Sequence, residues 1–256
     1  MKLSFEAKLA DDYKSPSQKV RVLTEHWFEN QVYCPNCGQT NIDKYANNKP
    51  VADFFCSNCK EDYELKSKKH SVGNIIVDGA YRTMIERLRD SNNPSLFLLS
   101  YDLHNYEVLN LLVIPKHFFI PEIIEERKPL SSNARRAGWV GCNILLQGIP
   151  QTGKIFFVRN HQAEPKVKVL TEWKRTLFLR EEKELSAKGW LLDVMNCVDK
   201  IGHKEFLLDE VYAFSDVLSE KHPENKHIKD KIRQQLQILR DKGYLEFIER
   251  GKYRLV

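Results

Sequence analysis

Asp53, Glu64 and Lys66 bring two carboxylates and an ammonium within a short stretch of the chain. On a β-strand, residues i and i+2 point to the same face, so Glu64 and Lys66 emerge together while Leu65 packs into the core. With Asp53 on an adjoining strand, all three converge. Carboxylates with open water positions suit Mg2+, which polarises a phosphoryl oxygen and lowers the pKa of a bound water. A lysine beside it orients that water and stabilises developing negative charge. That is the chemistry of phosphodiester hydrolysis. Taken alone, Glu-x-Lys is a common spacing and usually a solvated strand face. Phe54, Phe55, Tyr63 and Leu65 around it read as strands and supply the context.

A second constellation is interleaved with the first. Cys34-Pro-Asn-Cys37 and Cys56-Ser-Asn-Cys59 form a CxxC-x18-CxxC array, a spacing suited to a four-thiolate zinc site. Four protein ligands leave no position for water, so the zinc is expected to be structural. Cys56 and Cys59 fall in the connection between the strands assigned to Asp53 and Glu64, so zinc there would pin the loop whose ends carry the carboxylates. Cys142 and Cys197 lie in apolar surroundings and read as buried small hydrophobes. The eight histidines show no ligand spacing and are assigned no role. Glu25, on the first predicted helix, reads as part of a solvated face, with a place near the metal as the alternative.

These residues need a scaffold, and a chain of 256 residues with 42% hydrophobic and 29% charged content has the material for two ordinary domains. No apolar run reaches the roughly 18–20 residues that span a bilayer. The start, MKLSFEAKLADD, has acidic residues where a signal peptide needs an apolar region, so an intracellular, cytoplasmic protein is expected. The formal net charge of +5 is concentrated: positions 221–256 hold ten Lys/Arg against five Asp/Glu, and the remainder balances at 30 against 30. A polyanion-binding face is therefore expected at the C-terminal end.

Ser15-Pro16-Ser17-Gln18 reads as a helix start with a capping box, and Val20, Leu23 and Trp27 carry the helix to about Gln31. Tyr81, Met84, Ile85 and Leu88 mark a second helix, ended by Asn92-Asn93-Pro94. Leu96 to Tyr101, Tyr106 to Ile114 and Ile155 to Val158 read as strands, giving a mixed α/β pattern. Trp173 and Leu177 suggest a short helix in the charged stretch that follows, and the domain boundary is placed near residue 182. Leu191, Val194, Met195 and Val198 then form one helical face, Val211, Phe214 and Leu218 a second, and Ile228, Ile232, Leu236 and Leu239 a third. Tyr244 to Ile248 and Tyr253 to Val256 close a hairpin with Gly251 in its turn. Three helices and a terminal hairpin are the order of a winged helix-turn-helix.

With its apolar face inward, the third helix exposes Lys226, Lys229, Asp230, Arg233, Gln234 and Gln237. Arginine takes guanine bidentately, glutamine pairs with adenine edges and lysine holds phosphate, so the set suits a recognition helix. Arg250, Lys252 and Arg254 in the wing are placed against phosphates. Arg135 and Arg136 precede Gly138-Trp139: they could grip phosphate while Trp139 packs on a base or a methyl group, or Trp139 is core and the arginines ordinary surface.

Pro50-Val-Ala-Asp53 with Glu64-Leu-Lys66 resembles the PD-(D/E)XK nuclease motif, although Pro50 stands three residues before Asp53 rather than beside it. The wider sequence is similar to the DpnI-like methyl-directed type II restriction endonucleases. That similarity runs from the first helix through both cysteine pairs and Ala134-Arg-Arg-Ala-Gly-Trp-Val-Gly-Cys142 to Ile232-Arg-Gln-Gln-Leu-Gln-Ile-Leu-Arg-Asp241. The resemblance implies an α/β fold, a restriction-endonuclease-like mixed sheet with a four-cysteine zinc insertion over 1–182, and a winged helix over 183–256. It further implies a monomeric enzyme of the bacterial defence type that cuts double-stranded GATC carrying N6-methyladenine, both domains reading the methylated site. Carried over, Asp53 and Glu64 hold Mg2+, the Leu65 carbonyl adds a ligand, and Lys66 serves the attacking water. Two alternatives stay open: a non-enzymatic zinc-ribbon, winged-helix regulator in which Asp53 and Lys66 are surface charges, and a repair or resolvase nuclease of the same fold.

Overall fold

The computed structural model describes residues 1–46, 52–90 and 92–256; Pro50 of the quoted motif lies outside them. The chain divides into two compact units, Met1–Leu146 with Thr152–Leu177, and Gln147–Gln151 with Phe178–Val256.

The strands of the first unit are β1 (Asp43–Lys44), β2 (Phe54–Phe55), β3 (Asp62–Lys69), β4 (Ile75–Ala80), β5 (Ser95–Asp102), β6 (Glu107–Ile114), β7 (Ile124–Glu126), β8 (Gly141–Leu145), β9 (Ile155–Arg159) and β10 (Gln162–Ala163). Seven of them form a mixed sheet in the order β1-β2-β3-β5-β6-β9-β10, in which only the β3–β5 pair is parallel. The other three make a small antiparallel sheet, β4-β8-β7.

The central strand β5, SLFLLSYD, is apolar on both faces because both are covered. Phe97, Leu99 and Tyr101 join Leu23, Trp27 and Phe28 of helix α1 (Pro16–Gln31) in one core; α2 is Tyr81–Arg89, and Val169 and Trp173 of α3 (Lys166–Thr176) enter the same core. Leu98, between those positions, shares a small cavity with Ile76 and Val77 of β4. Helix α2 packs on the small sheet and buries only Leu88 fully.

The start of α1 differs in detail from expectation. Pro16 takes the first helical position, but Ser15 makes no side-chain cap: its hydroxyl pairs with that of Ser17 at 2.9 Å, so no capping box with Gln18 forms.

The second unit contains α4 (Leu185–Ile201), β11 (Glu205–Leu207), α5 (Leu208–Tyr212), α6 (Ser215–Lys221), α7 (Ile228–Asp241), β12 (Leu245–Glu249) and β13 (Lys252–Leu255). Leu191, Val194, Met195 and Val198 of α4 are buried, as are Ile232, Leu236 and Leu239 of α7. Where one helix is expected around Val211 and Leu218 there are two. The Ser215 hydroxyl donates to the Tyr212 carbonyl at 2.6 Å, a local bond that competes with helix continuation. Gly251, with φ +76°, makes the hairpin turn, and the unforeseen β11 adds a third strand, giving the order β11-β13-β12. Residues 147–151 belong to this unit because Asn196 donates to the Gly148 carbonyl (2.8 Å) and Asp199 accepts from the Gln151 amide (2.7 Å). Among the described residues no helix is long and apolar enough to cross a membrane.

Candidate active site and metal centre

The four paired cysteines meet. The Sγ atoms of Cys34, Cys37, Cys56 and Cys59 all lie within 4.8 Å of one another, with Cys34–Cys59 and Cys37–Cys56 at 3.5 Å. A sulfur–sulfur bond is about 2.05 Å, so none is present. The edge of a tetrahedron built on Zn–S bonds of about 2.3 Å is about 3.8 Å, which this cluster matches. Both loops fold alike. The amide four residues after the first cysteine returns to that cysteine's carbonyl, Gly38 to Cys34 at 2.9 Å and Lys60 to Cys56 at 2.8 Å, and both residues take positive φ. Burial raises the Cys34 thiol pKa, opposed by the Tyr63 hydroxyl 3.0 Å from its sulfur. At Cys37 burial is outweighed by hydrogen bonds from Asn58 and the Gln39 backbone, and the thiol falls to about 7. From α3, Trp173 Nε1 donates to Asn36 Oδ1 (3.0 Å) and Lys166 Nζ to the Gly38 carbonyl (2.8 Å), tying the first loop to the core.

Asp53 precedes β2, and the β2–β3 ladder, Phe54 opposite Tyr63, sets it beside Glu64. Its amide donates to the Tyr63 carbonyl (3.0 Å), and its Oδ2 accepts from the Leu65 amide (2.8 Å). Glu64 and Lys66 share the face that strand alternation dictates, with Lys66 Nζ 2.8 Å from Glu64 Oε1 and their side chains 25% and 23% exposed. Leu65 turns the other way, against the core formed with α1. Burial raises the Asp53 pKa, countered by the Leu65 amide and reinforced by the charge of Glu25. Burial likewise raises Glu64, which Lys66 opposes and Asp78 reinforces. For Lys66 burial acts downward, but Glu64 and Asp78 outweigh it and hold the ammonium above its ordinary range.

Two acidic groups read differently from expectation. Asp78 of β4, unremarked in the sequence, brings Oδ1 to 2.7 Å from Lys66 Nζ. Asp-Gly ordinarily signals a turn, and no periodicity links position 78 to position 66, so only the sheet packing reveals it. Glu25 is no solvated helix face: its side chain is 15% exposed and bridges Arg21 and Lys44, each at 2.7 Å, within reach of Asp53 electrostatically. Asp53, Glu64 and Asp78 open into a cavity of about 330 Å3 that Thr83, Met84 and Arg87 of α2 also line. Oxygen-only donors, crowded and partly desolvated beside open space, fit a hard divalent cation, whose charge offsets theirs.

The other candidate residues are divided between the two units. Arg135 and Arg136 are exposed between β7 and β8, the Arg136 guanidinium 4.8 Å over the Trp139 ring. Trp139 is half-buried and covers Gly141 so closely that a Cβ there would lie 2.9 Å from the ring. In the second unit Lys229, Arg233, Gln234 and Gln237 form the exposed stripe of α7, and Lys226 precedes it. Lys229 and Arg233 gather over Tyr212, at 5.2 and 5.7 Å from the ring, and Arg233 also donates to its hydroxyl. In the wing, Lys252 and Arg254 both pair with Glu205 at 3.1 Å, whereas exposed Arg250 makes no side-chain ion pair among the described residues.

A mixed α/β domain with a four-cysteine cluster and a carboxylate–lysine centre, followed by a winged helix-turn-helix, defines the class: a restriction-endonuclease-like protein with its own DNA-binding module. The chain belongs to the Dam-replacing family, also called the DpnI family, whose model matches residues 1–182. The model of the Dam-replacing HTH domain matches residues 186–255.

Proposed function

We propose that the protein is a methylation-dependent type II restriction endonuclease, making double-strand breaks at GATC sites carrying N6-methyladenine by Mg2+-dependent phosphodiester hydrolysis. The observation that carries this is the convergence of Asp53, Glu64 and Lys66, with both carboxylates lining an open cavity, in a chain of this family. A regulator that merely binds DNA has no need of a lysine held between two carboxylates that line a cavity.

Asp53 and Glu64, with the Leu65 carbonyl, hold Mg2+. When bound, that ion polarises a phosphoryl oxygen and lowers the pKa of a water. The Leu65 amide fixes the Asp53 carboxylate, so its orientation is set before substrate arrives. Lys66 presents an ammonium to the charge that develops on the phosphoryl group and orients the attacking water. The thiolates of Cys34, Cys37, Cys56 and Cys59 hold a structural Zn2+ that fixes the connection between Asp53 and Glu64.

On the DNA, the α7 stripe reads the major groove: Arg233, Gln234 and Gln237 face base edges, while Lys226 and Lys229 take phosphates. Arg250, Lys252 and Arg254 follow the backbone, and Arg135 and Arg136 grip phosphate beside Trp139 in the first unit. Residues 1–182 are the nuclease domain, 183–256 the reader, and the enzyme acts in the cytoplasm as a monomer. Digestion of defined duplexes tests the whole: with Mg2+, methylated GATC should be cut and the unmethylated duplex spared. Binding without cutting of either would favour a regulator, and preference for branched over methylated duplex DNA would favour a repair nuclease.

A further inference from the structure

We propose that Asp78 is a working member of the centre: Oδ1 fixes the Lys66 ammonium, and Oδ2 accepts the proton of the water that attacks the phosphate. This rests on the nuclease function proposed above.

Asp78 Oδ1 is fully occupied, accepting from Lys66 Nζ at 2.7 Å and from the Gly79 amide at 2.6 Å. Its Oδ2 is buried with no hydrogen-bond partner among the described residues, and the whole side chain is only 7% exposed. A buried carboxylate oxygen without a donor is costly, and the cost is tolerated where function fills the gap. Asp78 lines the same cavity as Asp53 and Glu64. The strand is shaped for this: the β4–β8 register slips between Asp78 and Ala80, a bulge of the kind that re-aims a side chain beside a reactive site.

The chemistry of Oδ2 selects the occupant. An acceptor with no donor takes a group that brings an O–H, and a water molecule supplies it beside the cavity that Asp53 and Glu64 also line. In the step, one O–H bond of water breaks and its proton goes to Asp78 Oδ2, while the water oxygen forms the new P–O bond. The scissile P–O bond breaks, and the departing ester oxygen takes a proton from solvent. Asp78 then returns its proton to solvent, leaving the enzyme unchanged.

Wild type, Asp78→Asn, Lys66→Met and the double variant decide the matter. Single-turnover cutting of methylated GATC duplex at saturating Mg2+ should fall about 100-fold or more in Asp78→Asn, with affinity for the duplex in Ca2+ changed less than about twofold, a bound set by the energy of one ordinary interaction. In Mg2+-free denaturation, Asp78→Asn should lower the midpoint when Lys66 is present. It should leave the midpoint unchanged or raise it in Lys66→Met, where the carboxylate has lost its partner. A near-wild-type rate, a loss that more Mg2+ restores, or equal midpoint shifts in both backgrounds overturns the proposal. Asp78→Ser is read in the same way should Asp78→Asn fail to fold. If the wild type cuts no DNA, the nuclease function fails instead, and the midpoints still report whether Asp78 holds Lys66.

Discussion

Strand β3 serves two clusters of opposite character. At Tyr63 it touches one of four soft sulfur donors, Cys34, that close on one another within 4.8 Å; at Glu64 and Lys66 it reaches hard oxygen donors that open into a cavity. The first arrangement offers a metal every ligand and leaves no room for substrate. The second leaves room and sets a cation, Lys66, among its carboxylates. Adjacent residues of one strand thus face different clusters, Tyr63 the sulfurs and Glu64 the cavity. The difference teaches that, on the proposed function, the cysteine insertion between Asp53 and Glu64 serves to hold the two side by side.

The strongest way to sharpen that contrast is to disable the open site alone. On the proposed function, Lys66→Ala removes the charge that stabilises the developing phosphoryl negative charge, and losses of about 10²–10³-fold follow from removing one such group. Cutting should fall by at least that much, with zinc content and DNA binding unchanged, since the ion pairs of Lys66 are with Glu64 and Asp78. Single-turnover assays beside metal analysis check it; cutting near the wild-type rate would remove Lys66 from the site.

Disabling the closed site should behave differently. Cys56→Ser takes one thiolate from the cluster, so zinc content should drop below one ion per chain, and stability and cutting should fall together. Structural zinc contributes about 10–16 kcal/mol in small peptides. Here an extensive core shares the burden, so a melting temperature lower by on the order of 10 °C is expected, at about 2–4 °C per kcal/mol for a domain of this size. Unchanged zinc content would dismiss the cluster as a metal site and collapse the contrast.

How legible these two sites were follows from how local their signals are. The cysteine spacing and the Glu64/Lys66 alternation are short-range patterns, and the cluster and the shared strand face are both present. The α7 face and the terminal hairpin were legible for the same reason. Asp78 was not, because it reaches Lys66 from a different sheet through packing that no periodicity encodes. Glu25 was misread because an exposed-looking helix position is half-buried and paired with Arg21 and Lys44. The break between α5 and α6 depends on one hydroxyl, and β11 is too short, with only Phe206 buried, to carry a strand pattern.

The smallest effect is the subtlest test of the open site. Burial raises the Asp53 carboxyl above its ordinary value, which means that ionised Asp53 is less favourable in the folded protein than in the unfolded chain. A carboxyl raised on folding contributes stability that is present below its unfolded pKa, about 3.9, and lost as pH rises through the folded value. Above that window the metal-free protein bears the full cost of the buried charge. Asp53→Asn keeps an oxygen to accept from the Leu65 amide and discards the charge. In Mg2+-free buffer with zinc retained, the variant should melt a few degrees above wild type at pH 8, at about 2–4 °C per kcal/mol. The gain should shrink as pH falls through the folded value and vanish below the unfolded one, about 3.9, and Mg2+ should stabilise wild type more than the variant. A pH-independent gain, or none, would mean that Asp53 is not a strained carboxylate awaiting a cation, and the open site would lose one of its two proposed metal-holding side chains.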